Sequence, residues 1–241
     1  MTAFKYLILS LSFIAMSCTS NRKATAQNIA YALTADQKAL LITETKNMLA
    51  LDQQYRDILL LGTMDPETVK RNAELSEKAS LEEYMAFLKS VKKDISKQQS
   101  DSLWKLQHQS DYTNYIKLKS IIARYGYPSS QRLGIKDDYA YVILLHPPIQ
   151  INPKDYLNEM QAILLKEVIA KRMEAKQYAV FVDDIKAKIL HEPQLYGTIN
   201  SFDMVTMKPG LPIIENLSYT NEKRKEIGLS ELKEGEYILS R

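Results

Sequence analysis

The chain has 241 residues, 45% hydrophobic and 25% charged, which suits one globular domain, or one and a half. Its formal net charge of +3 is too small to argue for a nucleic-acid partner. A single cysteine, Cys18, rules out an intrachain disulfide, so the domain must stand on its apolar core.

The chain opens M-T-A-F-K-Y-L-I-L-S-L-S-F-I-A-M-S-C. Lys5 supplies a positive start and Tyr6 to Met16 an apolar run too short to span a bilayer as an ordinary helix, the pattern of a signal peptide. Cys18 follows the small Ser17 and stands where the lipid-bearing cysteine of a bacterial lipoprotein would stand, although Ala15 and Met16 make the box imperfect. The alternative is secretory cleavage after Ala24-Thr25-Ala26, and Arg22 and Lys23, lying before that point, argue against it. The expected organisation is a lipoprotein signal peptide over 1–17, a lipidated tether over 18–32 and a single helical domain over 33–241. Thr19-Ser20 lack the Asp that resembles an inner-membrane retention signal. The expected address is therefore the cell envelope at the outer membrane, with the lipid bilayer as partner through Cys18.

Thr34 with Gln37 is a capping box that opens a long helix, with Leu41, Met48, Asp52, Tyr55 and Leu59 on its inward line. Gly62 to Pro66 breaks it, and Asp65-Pro66 caps the next helix. Residues 67–109 are helical with a join near Ser80, and Lys89, Lys92, Lys93 and Lys97 read as a solvated face. Trp104 and His108 lie one turn apart, and packing or exposure suits His108 better than ligation. The next helix turns Asp111, Asn114, Leu118, Ile121 and Tyr125 to one side and stops at Gly126-Tyr127-Pro128. A second carries Ile135, Tyr139, Val142, Ile143 and His146, ending at Pro147-Pro148. Two further helices follow, 154–173 and 176–190, with Asp183 and Asp184 off the apolar stripe and therefore read as solvated. Gln194 to Ile199 and Phe202 to Met207 alternate like strands around an Asn200-Ser201 turn. Pro212 to Ile214 is extended, 221–227 is a short helix stopped by Gly228, and 236–239 is an extended tail. The fold class is all-α, a multi-helical bundle with a small β-hairpin near the C-terminal third.

Asp52-x-x-Tyr55-Arg56, Asp111-x-x-Asn114, Gly126-x-Pro128, His146, Gln194-x-Tyr196-Gly197-Thr198 and Arg224-x-x-x-Gly228-Leu229 occur in that order. Together they resemble a bacterial family known only as a domain of unknown function, over about Leu51 to Tyr237. Two positions depart from the family pattern. Ile199-Asn200 stand where a Gln is usual after Y-G-T, and Asp183-Asp184 where Asp-Arg is usual. The resemblance implies a mainly helical fold and no known activity.

Asp52, Asp111, Asn114 and His146 all fall on inward stripes, and inward polar groups must find partners. Three readings stay open. The cluster is a pocket for a small polar or anionic ligand, or for a cell-envelope protein, held with Arg56, Gln194, Tyr196 and Arg224. Or it is a hydrolase-like site with His146 as general base oriented by Asp111. Or it is a buried network that fixes helix packing and has no active site. No nucleotide-binding glycine loop, H-E-x-x-H, G-x-S-x-G or C-x-x-C is present, and His108, His146 and His191 are far apart in sequence. Neither a metal nor a cofactor is expected.

Overall fold

A computed structural model describes residues 32–203 and 208–240. The leader and Cys18 lie outside them. The chain divides into two compact units, residues 1–40 and 41–241. Of the first, residues 32–40 are described. They begin helix α1 (Ala35–Gln53) with the expected capping box: Thr34 N donates to Gln37 Oε1 at 2.9 Å, and Gln37 N to Thr34 Oγ1 at 3.2 Å.

The second unit is all-α in its bulk. Helices α2 (Arg56–Leu61), α3 (Pro66–Lys78), α4 (Leu81–Val91) and α5 (Lys97–Tyr125) are followed by the short α6 (Ser130–Leu133) and α7 (Tyr139–Leu144). Then come α8 (Pro153–Ile169), α9 (Ala175–Asp184), a π-helical turn over Ile185–Ile189, and α10 (Leu217–Glu226). Side-chain caps start most of them. Asp65 accepts from Thr68 N, Ser80 from Glu83 N, Asp138 from Tyr141 N and Asn152 from Lys154 N, and Ser96 with Gln99 forms a capping box. The 29-residue α5 is the scaffold. It runs antiparallel to α1, as the contacts Glu44–Lys117, Met48–Asn114 and Asp52–Gln107 show. The core is a buried set around Leu118, Leu144, Met160, Leu164, Phe181 and Ile185. Tyr156 bridges it to α5 and α9, with ring centroids 5.6 Å from Tyr115 and 6.2 Å from Phe181.

Several boundaries differ from the sequence reading. The first long helix breaks at Gln54-Tyr55, and α4 and α5 are separate helices with Ser96 capping the second. The helix after Gly126 begins only at Tyr139, because Asp138 caps it and Gly134, at φ 73°, ends the short α6 before it. Gly62 is held by its surroundings. Its φ is +66°, and a Cβ there would lie 1.8 Å from the Lys93 carbonyl oxygen.

A β-hairpin is present, but not between the expected strands. β1 (Phe202–Asp203) pairs antiparallel with β2 (Lys208–Pro209), and Met204 to Met207 lie outside the described residues. Gln194 makes an isolated parallel bridge with Ile214, its N–H donating to the Ile213 carbonyl. Residues 195–199 form a loop, because the N–H groups of Leu195, Tyr196, Thr198 and Ile199 go to side-chain acceptors instead of a ladder. The extended segments pair with each other, β3 (Ile213–Ile214) lying parallel to β4 (Ile238–Leu239).

Candidate functional site

The break between α1 and α2 is where the polar cluster forms. Gln107 of α5 is fully buried and its side-chain amide enters the break. Oε1 accepts from Tyr55 N at 3.3 Å, and Nε2 donates to the Asp52 carbonyl at 2.9 Å. A foreign amide thus closes part of the helix ladder, a recognised cause of a kink. The same Nε2 donates to Asp111 Oδ1 at 2.8 Å. Arg56, just past the break, reaches the same oxygen with Nη2 at 2.7 Å, while its Nε stands 3.6 Å from Asp52 Oδ2.

His146 follows α7 and meets Asp52, with Nδ1 at 3.0 Å from Oδ1 and 2.9 Å from Oδ2. An ionised carboxylate only accepts, so Nδ1 carries the hydrogen and Nε2 is the ring nitrogen left over. Asp52, not Asp111, orients this imidazole. Asp52 is 1% exposed as a side chain and His146 31%, so the histidine stands between the buried carboxylate and solvent. Burial pushes the Asp111 carboxyl above its usual range, and the hydrogen bonds from Gln107 and Arg56 oppose that shift. Asn114 lies one turn further along α5. Its Nδ2 donates to the Met48 carbonyl at 2.9 Å, which ties α5 to α1.

Arg56, Asp111 and His146 border one cavity of about 410 Å³. Its walls are apolar: Trp104 on α5, Leu145, Pro147, Ile149 and Ile151 in the segment after α7, and Ile189 in the π-helical turn. Trp104 and His108 stack at its edge with centroids 5.4 Å apart. No Ser, Thr or Cys lines it. Asp52 lies behind His146, and neither Asp52 nor Asn114 borders the cavity. Among the described residues, no group of three His, Cys, Asp or Glu side chains is placed to hold a metal ion.

The remaining sequence candidates gather elsewhere. Gln194 closes its own loop, donating from Nε2 to the Ile199 carbonyl and accepting from Ile199 N. Arg224 Nη1 donates to the Tyr196 carbonyl at 2.6 Å. At the centre is Asp183, which is not solvated: it is fully buried, and Asp184 is 8% exposed. Asp183 Oδ1 accepts from Leu195 N and Tyr196 N, and Oδ2 from Thr198 N and Thr198 Oγ1, all within 2.9 Å. The apolar-stripe argument fails because the loop covers the outer face of α9, so both sides of that helix are buried. Asp184 pairs with Lys188 one turn on. None of Gln194, Tyr196 and Arg224 borders the cavity beside His146.

Sequence reasoning missed Gln107 and gave Trp104 and His108 no functional role, reading His108 as packed or exposed. The signal for Gln107 was available. It lies one turn before Asp111 on the same stripe and extends the line of inward polar residues. No family model matches the chain, and no curated protein or solved structure matches it either. The geometry is therefore the ground for any functional reading. Among the described residues, no helix is long and apolar enough to cross a membrane.

Proposed function

We propose that this is a ligand-binding envelope lipoprotein, anchored through Cys18, whose cavity beside His146 takes a small molecule with a polar head and an apolar body. The observation that supports it is the meeting of apolar and polar lining in one cavity: Asp111 and His146 beside Trp104 and Ile149. The charge count favours a neutral or cationic head over an anion. Arg56 is committed to Asp111 and faces Asp52, and Arg224 is spent on backbone carbonyls away from the cavity. A thermal-shift screen of small molecules against the wild type and His146→Ala tests this reading. Ligands that stabilise the wild type and lose that effect in a folded His146→Ala support it. A screen in which no stabilising molecule depends on His146 overturns it. For the anchor, cells fed labelled palmitate should label the wild type and not Cys18→Ala, and equal label in both refutes lipidation.

A hydrolytic reading draws on the Asp52–His146 pair, which leaves Nε2 free to take a proton from water. With no Ser, Thr or Cys on the cavity, the simplest route is direct attack by water. Turnover that disappears in His146→Ala while binding persists would favour catalysis over binding.

A further inference from the structure

We propose that the polar head recognised in this cavity is a primary alkylammonium; the inference rests on the binding reading above and names its ligand class. Asp111 is the first ground. Its side chain is 6% exposed, and Oδ1 takes the hydrogen bonds from Arg56 and Gln107. Nothing among the described residues hydrogen-bonds to Oδ2, and Asp111 borders the cavity. Oδ2 is not among the buried unpartnered atoms, so it stays open to a donor entering the cavity.

His146 is the second. In the neutral tautomer whose Nδ1–H is held by Asp52, Nε2 is an acceptor on the same cavity. The cavity thus offers two acceptors. Its one strong cation, Arg56, is already engaged by carboxylates: Nη2 donates to Asp111, and Nε, shut off from solvent, faces Asp52. Two carboxylates, Asp52 and Asp111, face one guanidinium, so with neutral His146 the cluster carries one uncompensated negative charge.

The walls supply the rest. An ammonium carries three donors and no acceptor, which suits two acceptors and a negative cluster. Its alkyl body would lie against Ile149 and Ile189, and Trp104, at 43% exposure, offers an indole face at the rim. A carboxylate or phosphate would meet Asp111 and the lone pair of His146 and be repelled. A neutral alcohol would satisfy one acceptor and leave the charge uncompensated.

Trp104 is the only tryptophan in the chain, so its fluorescence reports on the cavity without a label. The purified full-length protein is titrated with n-hexylamine at neutral pH, and with hexanol, hexanoate and N-acetyl-lysine amide for comparison. Far-UV dichroism first confirms that each protein is folded. The expected result is a saturable change with hexylammonium and binding weaker by about tenfold in Asp111→Asn, the order lost with one charge-assisted hydrogen bond. Should Asp111→Asn not fold, His146→Gln serves instead and should weaken binding similarly. N-acetyl-lysine amide binding as well as hexylammonium would support the alkylammonium and give its source as a lysine side chain of a partner. Hexanol or hexanoate binding as tightly as hexylammonium overturns the ammonium and leaves the cavity reading standing. No response to any of the four also overturns the ammonium, and the thermal-shift screen then decides the cavity reading separately.

Discussion

His146 Nδ1 lies 2.9 Å from Asp52 Oδ2, although 94 residues separate the two in sequence. The contact joins the end of α7 to the end of α1 and sets the tautomer of the imidazole. Its two members are unequal in burial, and that decides what their loss costs. Asp52→Ala removes a fully buried carboxylate and leaves the His146 N–H and the Arg56 guanidinium without it. Unpaired buried polar groups cost about 1–3 kcal/mol each, so Asp52→Ala should lose at least that much in urea unfolding. His146→Ala should lose less, because water can reach the site. An equal loss in the two variants would show that the ring acts as core packing.

Gln107 is the more severe test of the cluster. Gln107→Leu keeps the approximate volume and abandons the Tyr55 N–H, the Asp52 carbonyl and one bond to Asp111 together. The expected loss is about 1–3 kcal/mol for each group left dry, partly relieved if α1 and α2 straighten into one helix. Gln107→Glu places oxygen where Nε2 now donates and faces two acceptors, so it should be about as damaging at neutral pH. Urea unfolding of both variants checks the size of the effect. A loss below about 0.5 kcal/mol, the scale of an ordinary surface substitution, would show that water takes over the role of the amide.

Much of this architecture was legible in the amino-acid sequence, for local reasons. Helix starts at Asp65 and Ser80 and the stop at Gly126 follow from caps that act within one turn. The inward placement of Asp52, Asp111 and Asn114 follows from helical spacing, because carbon and carboxylate positions obey the same period. Pairing is a different matter. Periodicity puts Asp52 and Asp111 on inward faces but does not say that Asp52 takes His146 while Asp111 takes Arg56. Residues 194–199 alternate like a strand, yet one carboxylate from α9, Asp183, outcompetes a ladder for the N–H groups of Leu195, Tyr196 and Thr198. The break after Gln53 has no glycine or proline to announce it, since its cause is a side chain 52 residues further on, from Gln107 to Tyr55.

The Asp183 cage predicts a loop held by one side chain. Asp183→Ala leaves three backbone N–H groups and the Thr198 hydroxyl without their acceptor. Amide hydrogen exchange at Leu195, Tyr196 and Thr198 should accelerate by orders of magnitude more than exchange in α5. Asp183→Asn presents an NH2 group to donors and should show the same pattern more weakly. Exchange that rises uniformly across the chain would instead mean that the cage supports the whole domain.

Glu167 makes the pH dependence of stability specific. Burial alone would raise its carboxyl, but Arg172 and the Tyr127 N–H hold it below its ordinary 4.5. Arg172 donates from Nε at 2.6 Å and from Nη2 at 2.8 Å, and Tyr127 N donates at 2.9 Å. Gly126 leaves room for this cluster, since a Cβ there would stand 3.0 Å from both Glu167 Oε2 and Arg172 Nε. A carboxyl depressed in the folded state stabilises the fold at pH above its unfolded value, and that contribution is lost as pH falls through the folded value. Asp111 and Asp183 act in the opposite sense. Burial raises both, so their ionised forms cost stability, and that cost fades as pH drops through their raised folded values toward 3.8. The overall profile therefore mixes two signs, and the difference between wild type and Glu167→Gln isolates one of them. At about pH 7 the variant should be less stable by about 1–3 kcal/mol, and the gap should narrow steadily below the ordinary 4.5 of the carboxyl. Urea unfolding of both proteins at matched ionic strength across that range measures it. A gap that stays constant with pH would show that Glu167 contributes through packing and hydrogen-bond geometry, with its charge playing no part.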